Sequence, residues 1–339
     1  MVIQRLNIMP TFKLNPAVDP FAADSTKDLS CPWSHGALRT IGSEHLRRQI
    51  PCQDAALAET NSRPFAVVCD GRGSAKLSHH GSLAGVTAIK RAVRVLEPMI
   101  ADCLDCAESS TAADAWDRLA VVLLRWLMDE QLALAKTHTC PPEQFDFTLA
   151  AIIVGSKHVG WVQVGDSCLA VQRSSTVSLV AKPQRGEWAG QTEFVRPSSR
   201  TSAVALRGLI PASGVTGLVA FSDGVAAKLV NALTEEPAPG IGQILDRLAS
   251  ASWSDEQLQA YLEKPFWLEG GDDDRSIAYL VKTPTDIVPI LDEGPVQSSD
   301  LRPAAATATS PGEFPFADGI TEPWQNQKAR MKSKKRKAR

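Results

Sequence analysis

Three features of the 339-residue sequence predict an α+β domain with antiparallel strands. Residues 81–97 and 112–135 carry apolar side chains at helical spacing. From Phe145 onward, short β-branched runs are separated by Gly, Asp and Ser, the pattern of hairpins. Hydrophobic residues make up 44% of the chain and charged residues 22%, enough for one large core or two smaller ones. That composition excludes a wholly disordered, collagen-like or disulfide-stapled chain.

Residues 1–35 place Pro10, Pro16, Pro20 and Pro32 among polar residues without a sustained period, and read as an irregular arm. The core begins near Gly36. Residues 64–69 (PFAVVC) form a strand that ends at Asp70-Gly71. In the helix that follows, Leu83, Val86, Ile89, Val93 and Leu96 recur at spacings of 3, 3, 4 and 3, and Pro98 stops it. Trp116, Leu119, Leu123, Leu127 and Leu132 mark one side of a second helix.

FTLAAIIVG, HVGWVQVGD, SCLAVQR and TVSLVAK then read as antiparallel hairpins, and GLVAFSDG (217–224) as a strand ending in Asp-Gly. Short helical patterns follow near 224–232, 240–249 and 254–264, with a last strand at 275–281 (RSIAYLV). Beyond residue 284, RPAAATATSPGEFP cannot bury enough apolar surface to order itself. The predicted organisation is one domain at 36–283, flanked by the arm and by a flexible tail over 284–339.

The chain holds 36 Lys and Arg against 38 Asp and Glu, a net charge of −2. Residues 328–339 contribute 8 of those cations and no acid, so the remainder has 28 against 38, or −10. An acidic body lacks the cationic face that nucleic-acid recognition needs, and only the basic tail offers a polyanion contact. Seven scattered cysteines and a start (MVIQRLNIMP) without the features of an export signal predict a reduced, cytoplasmic protein. The longest apolar runs, such as Leu119–Leu124 and Thr148–Val154, fall well below the roughly 18 residues of a spanning helix.

The acids sit in a shared context, at strand ends next to glycine: Asp70 in VVCDGRGS, Asp223 in VAFSDGVA, and Asp272, Asp273 and Asp274 in GGDDDRSIAYL. Asp54, in IPCQDAAL, precedes the first strong strand. Singly, an Asp-Gly pair is ordinary turn chemistry. Converging carboxylates repel, however, and hard cations with oxygen preference, Mg²⁺ or Mn²⁺, are their natural partners. Gly71 can offer its carbonyl because no side chain blocks approach.

Five motifs in order make the chain resemble the metal-dependent protein phosphatases of the 2C family, in particular its bacterial branch. They are GSEHLRRQIPCQDA (42–55), VVCDGRGSAKLSHHGS (67–82), FTLAAIIV with VGDS (147–154 and 164–167), AFSDGV (220–225) and DDRSIAYLV (273–281). The resemblance implies a four-layer α-β-β-α sandwich, two antiparallel sheets flanked by helices, with a metal site at one end. It implies two Mg²⁺ or Mn²⁺ ions, with a third as an option. By the family pattern Asp70 bridges both metals and the Gly71 carbonyl binds one, while Asp223 and Asp273 hold the second. Asp54 holds metal-bound water and Asp166 lies close by. Arg47 or Arg48, seven or six residues before Asp54, takes the substrate phosphate, a task suited to a guanidinium fork.

The implied reaction is hydrolysis of phosphoserine or phosphothreonine in a phosphoprotein, opposing a serine/threonine kinase, by water activated between two cations about 4 Å apart. The cysteine-based alternative needs Arg six positions after Cys, and none of the seven cysteines has it. A second reading is a binding or regulatory module on the same fold with weak catalysis. A third, nucleic-acid association, rests on the tail alone. Arg72 stands where some relatives carry a histidine that protonates the leaving alcohol, and His79 and His80 read as surface residues at a helix start. In the last motif Asp273 stands three residues before Ser276, as the family places its aspartate before Thr or Ser. Cys103 and Cys106 form a CxxC without a second ligand pair at zinc spacing, Trp116, Trp126 and Trp161 read as filling, and Trp188 could line a substrate path.

Overall fold

The computed structural model describes residues 31–105, 109–184, 192–268 and 271–283. The chain divides into two units between Cys31 and Pro32, and the second holds every element below. The first half runs β1 (Trp33–Thr40), α1 (Ser43–Arg48), β2 (Asp54–Glu59), β3 (Phe65–Asp70), α2 (Ser78–Val95), α3 (Glu97–Leu104) and α4 (Ser109–His138). The second runs β4 (Leu149–Val154), β5 (His158–Val164), β6 (Cys168–Arg173), β7 (Thr176–Leu179), α5 (Ser199–Val204), β8 (Leu206–Pro211) and β9 (Val215–Phe221). It closes with α6 (Asp223–Leu229), α7 (Gly240–Ala249), α8 (Asp255–Leu262), α9 (Pro265–Leu268) and β10 (Arg275–Lys282). No helix among the described residues is long and apolar enough to cross a membrane.

The strands form two antiparallel sheets, ordered β1-β10-β9-β6-β7 and β2-β3-β4-β5-β8. Alternation along each strand explains the layers. Val67, Cys69, Leu149, Ala151 and Ile153 pack with Val86, Ile89, Leu119 and Leu123 of α2 and α4. Val219, Phe221, Ile277 and Tyr279 pack with Val225, Ile244, Leu245 and Leu258 of α6, α7 and α8. The intervening residues, Ala66, Val68, Ile152, Leu218, Ala220, Ala278 and Leu280, are equally buried and face the opposite sheet, where β3 meets β9 and β4 meets β6. Both sheet faces are therefore covered, which is why these strands read as continuous apolar runs rather than alternating ones. The α-β-β-α sandwich is the architecture implied by the resemblance.

Several local readings differ from the outcome. β1 begins at Trp33, inside the segment read as irregular, and pairs along its whole length with β10. Pro98 does not end the helical region: it occupies the first turn of α3, where its missing N–H is harmless. Leu83 and Leu132, placed on the apolar stripes, are exposed. β5 and β6 do not form a hairpin. The chain crosses from one sheet to the other at Gly165, whose φ of +90° bulkier residues rarely adopt and whose missing side chain lets Thr148 and the Glu193 carbonyl approach.

Antiparallel pairing gathers the functional strand ends at one end of the sandwich. Asp54, opening β2, lies directly across from Asp70, closing β3. Phe221, closing β9, faces Cys168 at the start of β6 on one side and Ile277 of β10 on the other. Asp166, Asp223 and Asp273 follow or precede those strand ends by a residue or two.

Candidate active site

Each acid is carried on a segment fixed by backbone bonds. Thr148 N–H donates to the Asp70 carbonyl (2.8 Å), and its hydroxyl pairs with Ser167 (2.7 Å), beside Asp166. Thr192 donates to Asp166 Oδ2 (3.0 Å). Ser276 N–H donates to the Ser222 hydroxyl (2.9 Å) and Ser222 N–H to the Ser276 carbonyl (3.0 Å), tying the Asp223 segment to the start of β10. Gly224 explains the Asp-Gly pair here, because a methyl group at that position would collide with the Asp274 carbonyl.

Asp70, Gly71, Asp166, Asp223 and Asp273 line one cavity of about 780 Å³. A neighbouring cavity of about 440 Å³ shares Gly73, Asp223 and Asp273 with it and adds Glu44, His45 and Asp272. Asp54 is buried behind Asp70. Asp274 points inward instead. Its Oδ1 accepts from Gly42 N–H (2.6 Å), and its Oδ2 from Gln53 N–H (2.6 Å) and His45 Nδ1 (2.9 Å).

Burial, and after it the crowding of these carboxylates, raises their proton affinity. Burial first, then the Asp274 carboxylate, pushes Asp54 up to about 8. Burial, then Asp273 and Asp166, pushes Asp223 up to about 7. Asp70 lies well above the usual carboxylate range through burial and then the charges of Asp54, Asp223, Asp273 and Asp166. Desolvation also raises Asp273. Asp54 Oδ2 and Asp223 Oδ1 are buried and accept no hydrogen bond among the described residues. Acceptor oxygens that are buried, unpartnered and mutually repelling fit a hard divalent cation. Among the described residues, no three His, Cys, Asp or Glu side chains are placed so as to hold one metal ion by themselves.

The two arginines expected at the substrate phosphate are not brought to this cavity. Arg47 and Arg48 lie exposed on α1, where Arg47 Nη2 pairs with Glu44 at 2.6 Å and Arg48 stands 3.8 Å from the same carboxylate. The spacing before Asp54 includes a helical turn that aims both side chains outward. Among the described residues, the cations on the cavity wall are Arg72, Arg196 and Arg200. Arg72 Nη1 and Arg196 Nη2 both bond Asp146 Oδ2, at 3.2 and 2.7 Å. Sequence reasoning missed Arg196, Arg200, Asp146 and His45. His45 lay within a quoted motif, whereas the arginines follow no strand-end signal. His79 and His80 stack on each other and toward His138, away from the residues lining the cavity. Cys103 is buried in α3, and Cys106, Trp188 and residues 284–339 lie outside the described residues.

The family model described as protein phosphatase 2C matches residues 41–263. The chain belongs to the protein phosphatase 2C family. Within the matched span fall Asp54, Asp70, Asp166 and Asp223, while Asp273 lies beyond it. Among curated relatives, serine/threonine-protein phosphatase 3 of Escherichia coli (strain K12) is 23% identical over 258 residues, covering 73% of this chain and 97% of its own. Two solved structures share the fold. Serine/threonine phosphatase Stp1 from Staphylococcus aureus is 15% identical with a TM-score of 0.50, over 74% of this chain and 94% of its own. The S. agalactiae serine/threonine phosphatase is 17% identical with a TM-score of 0.50, over 74% and 99%. The fold and the family together make this chain a protein phosphatase of the 2C type.

Proposed function

We propose that this 2C phosphatase hydrolyses phosphoserine and phosphothreonine in proteins with Mg²⁺ or Mn²⁺ as cofactor, opposing a serine/threonine kinase. The observation that carries the reading is the pair of buried, unpartnered oxygens Asp54 Oδ2 and Asp223 Oδ1, among carboxylates that repel one another. Asp70, the Gly71 carbonyl, Asp223 and Asp273 are the groups assigned to hold the ions. When bound, the ions supply Lewis acidity toward the phosphoryl group and an activated water nucleophile. Asp54, across the strand pair from Asp70, accepts hydrogen bonds from water at the site. Asp166, steadied by Thr192, faces the same cavity and orients further water. The E. coli relative's name supports the substrate class. The catalytic domain is assigned to the span read as 36–283, extended at its start to Trp33.

Hydrolysis of a phosphothreonine peptide with Mn²⁺, with and without chelator, tests the assignment. Release of phosphate that chelator abolishes and Mn²⁺ restores is the expected result. Chelator-resistant hydrolysis would overturn the metal assignment, and no hydrolysis under saturating Mn²⁺ would favour the binding-module reading.

A further inference from the structure

Arg72, Asp146 and Arg196 form a charged unit on the wall of the cavity that holds Asp70, Asp223 and Asp273. Asp146 has a fully buried side chain and is bonded by both guanidinium groups through one oxygen, Oδ2. Two positive charges thus share one negative charge, leaving a surplus of one on the wall. Each guanidinium spends one terminal nitrogen on this pair and keeps the other free of it. Both arginines are about two-fifths exposed, at 39% each, and both line the cavity that holds Asp70, Asp223 and Asp273.

Their positions are fixed rather than adjustable. The guanidinium carbons of Arg72 and Arg196 stand 5.6 and 5.7 Å from the Phe194 ring centroid, within cation–π range. Gly71 bridges to Phe147 and Phe147 to Val195, so the backbone that carries Arg196 is stitched to the residue after Asp70. Arg72 N–H donates to the Asp146 carbonyl (2.9 Å) and Val195 N–H to the Phe147 carbonyl (2.8 Å). Arg200 also lines the cavity, but its charge is matched by Glu193 at 2.5 Å.

Resting on the phosphatase reading, we propose that Arg72 and Arg196 form a subsite for a second anionic side chain of the phosphopeptide, next to the phosphorylated residue. The group is a carboxylate or a second phosphate, since both present oxygens that a guanidinium fork binds with charge-assisted hydrogen bonds. The cavity, at about 780 Å³, has room for a flanking residue as well as the phosphoryl group.

The test uses the full chain with Mn²⁺ and four phosphothreonine peptides that differ only in the flanking residue: Asp, phosphoserine, Ala or Lys. The wild type is expected to favour the Asp and phosphoserine peptides over Ala by about tenfold in kcat/KM, with Lys the poorest, and the preference should shrink as salt rises. Comparing Asp with phosphoserine tells which anion is preferred. In Arg196→Gln and Arg72→Gln the ratio of acidic to Ala peptide should fall toward one, and a ratio is independent of the fraction of each variant that folds. Equal rates on all four peptides in the wild type, or a ratio retained in both variants, would overturn the subsite. So would an equal drop on every peptide and on p-nitrophenyl phosphate, which would move the arginines to the scissile phosphate. Absence of chelator-sensitive hydrolysis of p-nitrophenyl phosphate by the wild type would instead remove the phosphatase reading, and the subsite with it.

Discussion

Asp274 Oδ2 accepts from both the His45 imidazole and the backbone N–H of Gln53, at 2.9 and 2.6 Å, while its neighbour Asp273 faces the cavities. One aspartate therefore clamps the start of α1 to the residue preceding Asp54, and the adjacent one is left for the site. Replacing Asp274 by Ala orphans two buried N–H donors and the imidazole, and should cost about 3 kcal/mol of stability. Asp273→Ala should leave the melting temperature of the metal-free protein nearly unchanged and weaken Mn²⁺ binding. Thermal melts and Mn²⁺ titrations of the two variants separate these roles. If Asp274→Ala loses metal affinity at full stability, the ligand register is shifted by one.

The raised carboxyl groups predict an inverted pH dependence for the metal-free fold. An aspartate of ordinary pKa near 3.9 in the unfolded chain that titrates about 7 (Asp223) or about 8 (Asp54) in the fold binds its proton more tightly when folded. The folded state then holds more protons across that range, so stability falls as pH rises from about 4 through about 8. In EDTA the melting temperature should drop between pH 5 and 8, and Mn²⁺ should restore most at the upper end. A flat profile in EDTA would show that the acids are not buried and crowded as described.

Asp70→Asn and Asp223→Asn should each lower Mn²⁺-dependent hydrolysis at least about 100-fold while keeping the fold, since each removes charge from the rim rather than apolar volume from the core. Asp223→Asn should also flatten part of the pH-dependent melting in EDTA. Wild-type rates for Asp223→Asn under saturating Mn²⁺ would show that the acid plays no part in metal binding.

Arg47→Ala and Arg48→Ala should change KM for a phosphopeptide by less than about twofold, because both side chains are exposed and paired with Glu44, an arrangement of small energetic worth. Steady-state kinetics decide this. A KM raised fivefold or more in either variant would return the phosphate contact to α1.

Sequence alone revealed those parts of the molecule whose signals are local. β3, β4, β9 and β10 are buried on both faces, so their apolar runs are unbroken, and Asp70 and Asp223 stand out because each ends such a run beside glycine. β1 (WSHGALRT) mixes polar and apolar residues and takes its strand form from full-length pairing with β10, at the far end of the domain. β8 lies at a sheet edge with half-exposed side chains and ends in Pro211, which an edge tolerates. Arg196 reaches the cavity through the bridges joining Gly71, Phe147 and Val195, contacts between segments far apart in the chain. The place of His45 depends likewise on Asp274, 229 residues later.

β10 ends at Lys282, and among the described residues every acid and arginine lining the cavity precedes it. Truncation after Pro284 should therefore retain metal-dependent hydrolysis of a small phosphopeptide, within about twofold of the full chain. The removed segment carries the eight cations of residues 328–339, which would contact a polyanion through interactions that weaken steeply with salt. Heparin retention at low salt should accordingly be lost on truncation while peptide hydrolysis persists. A truncated protein that folds, by its melting transition, yet is inactive at every salt concentration would place part of the tail within the catalytic domain.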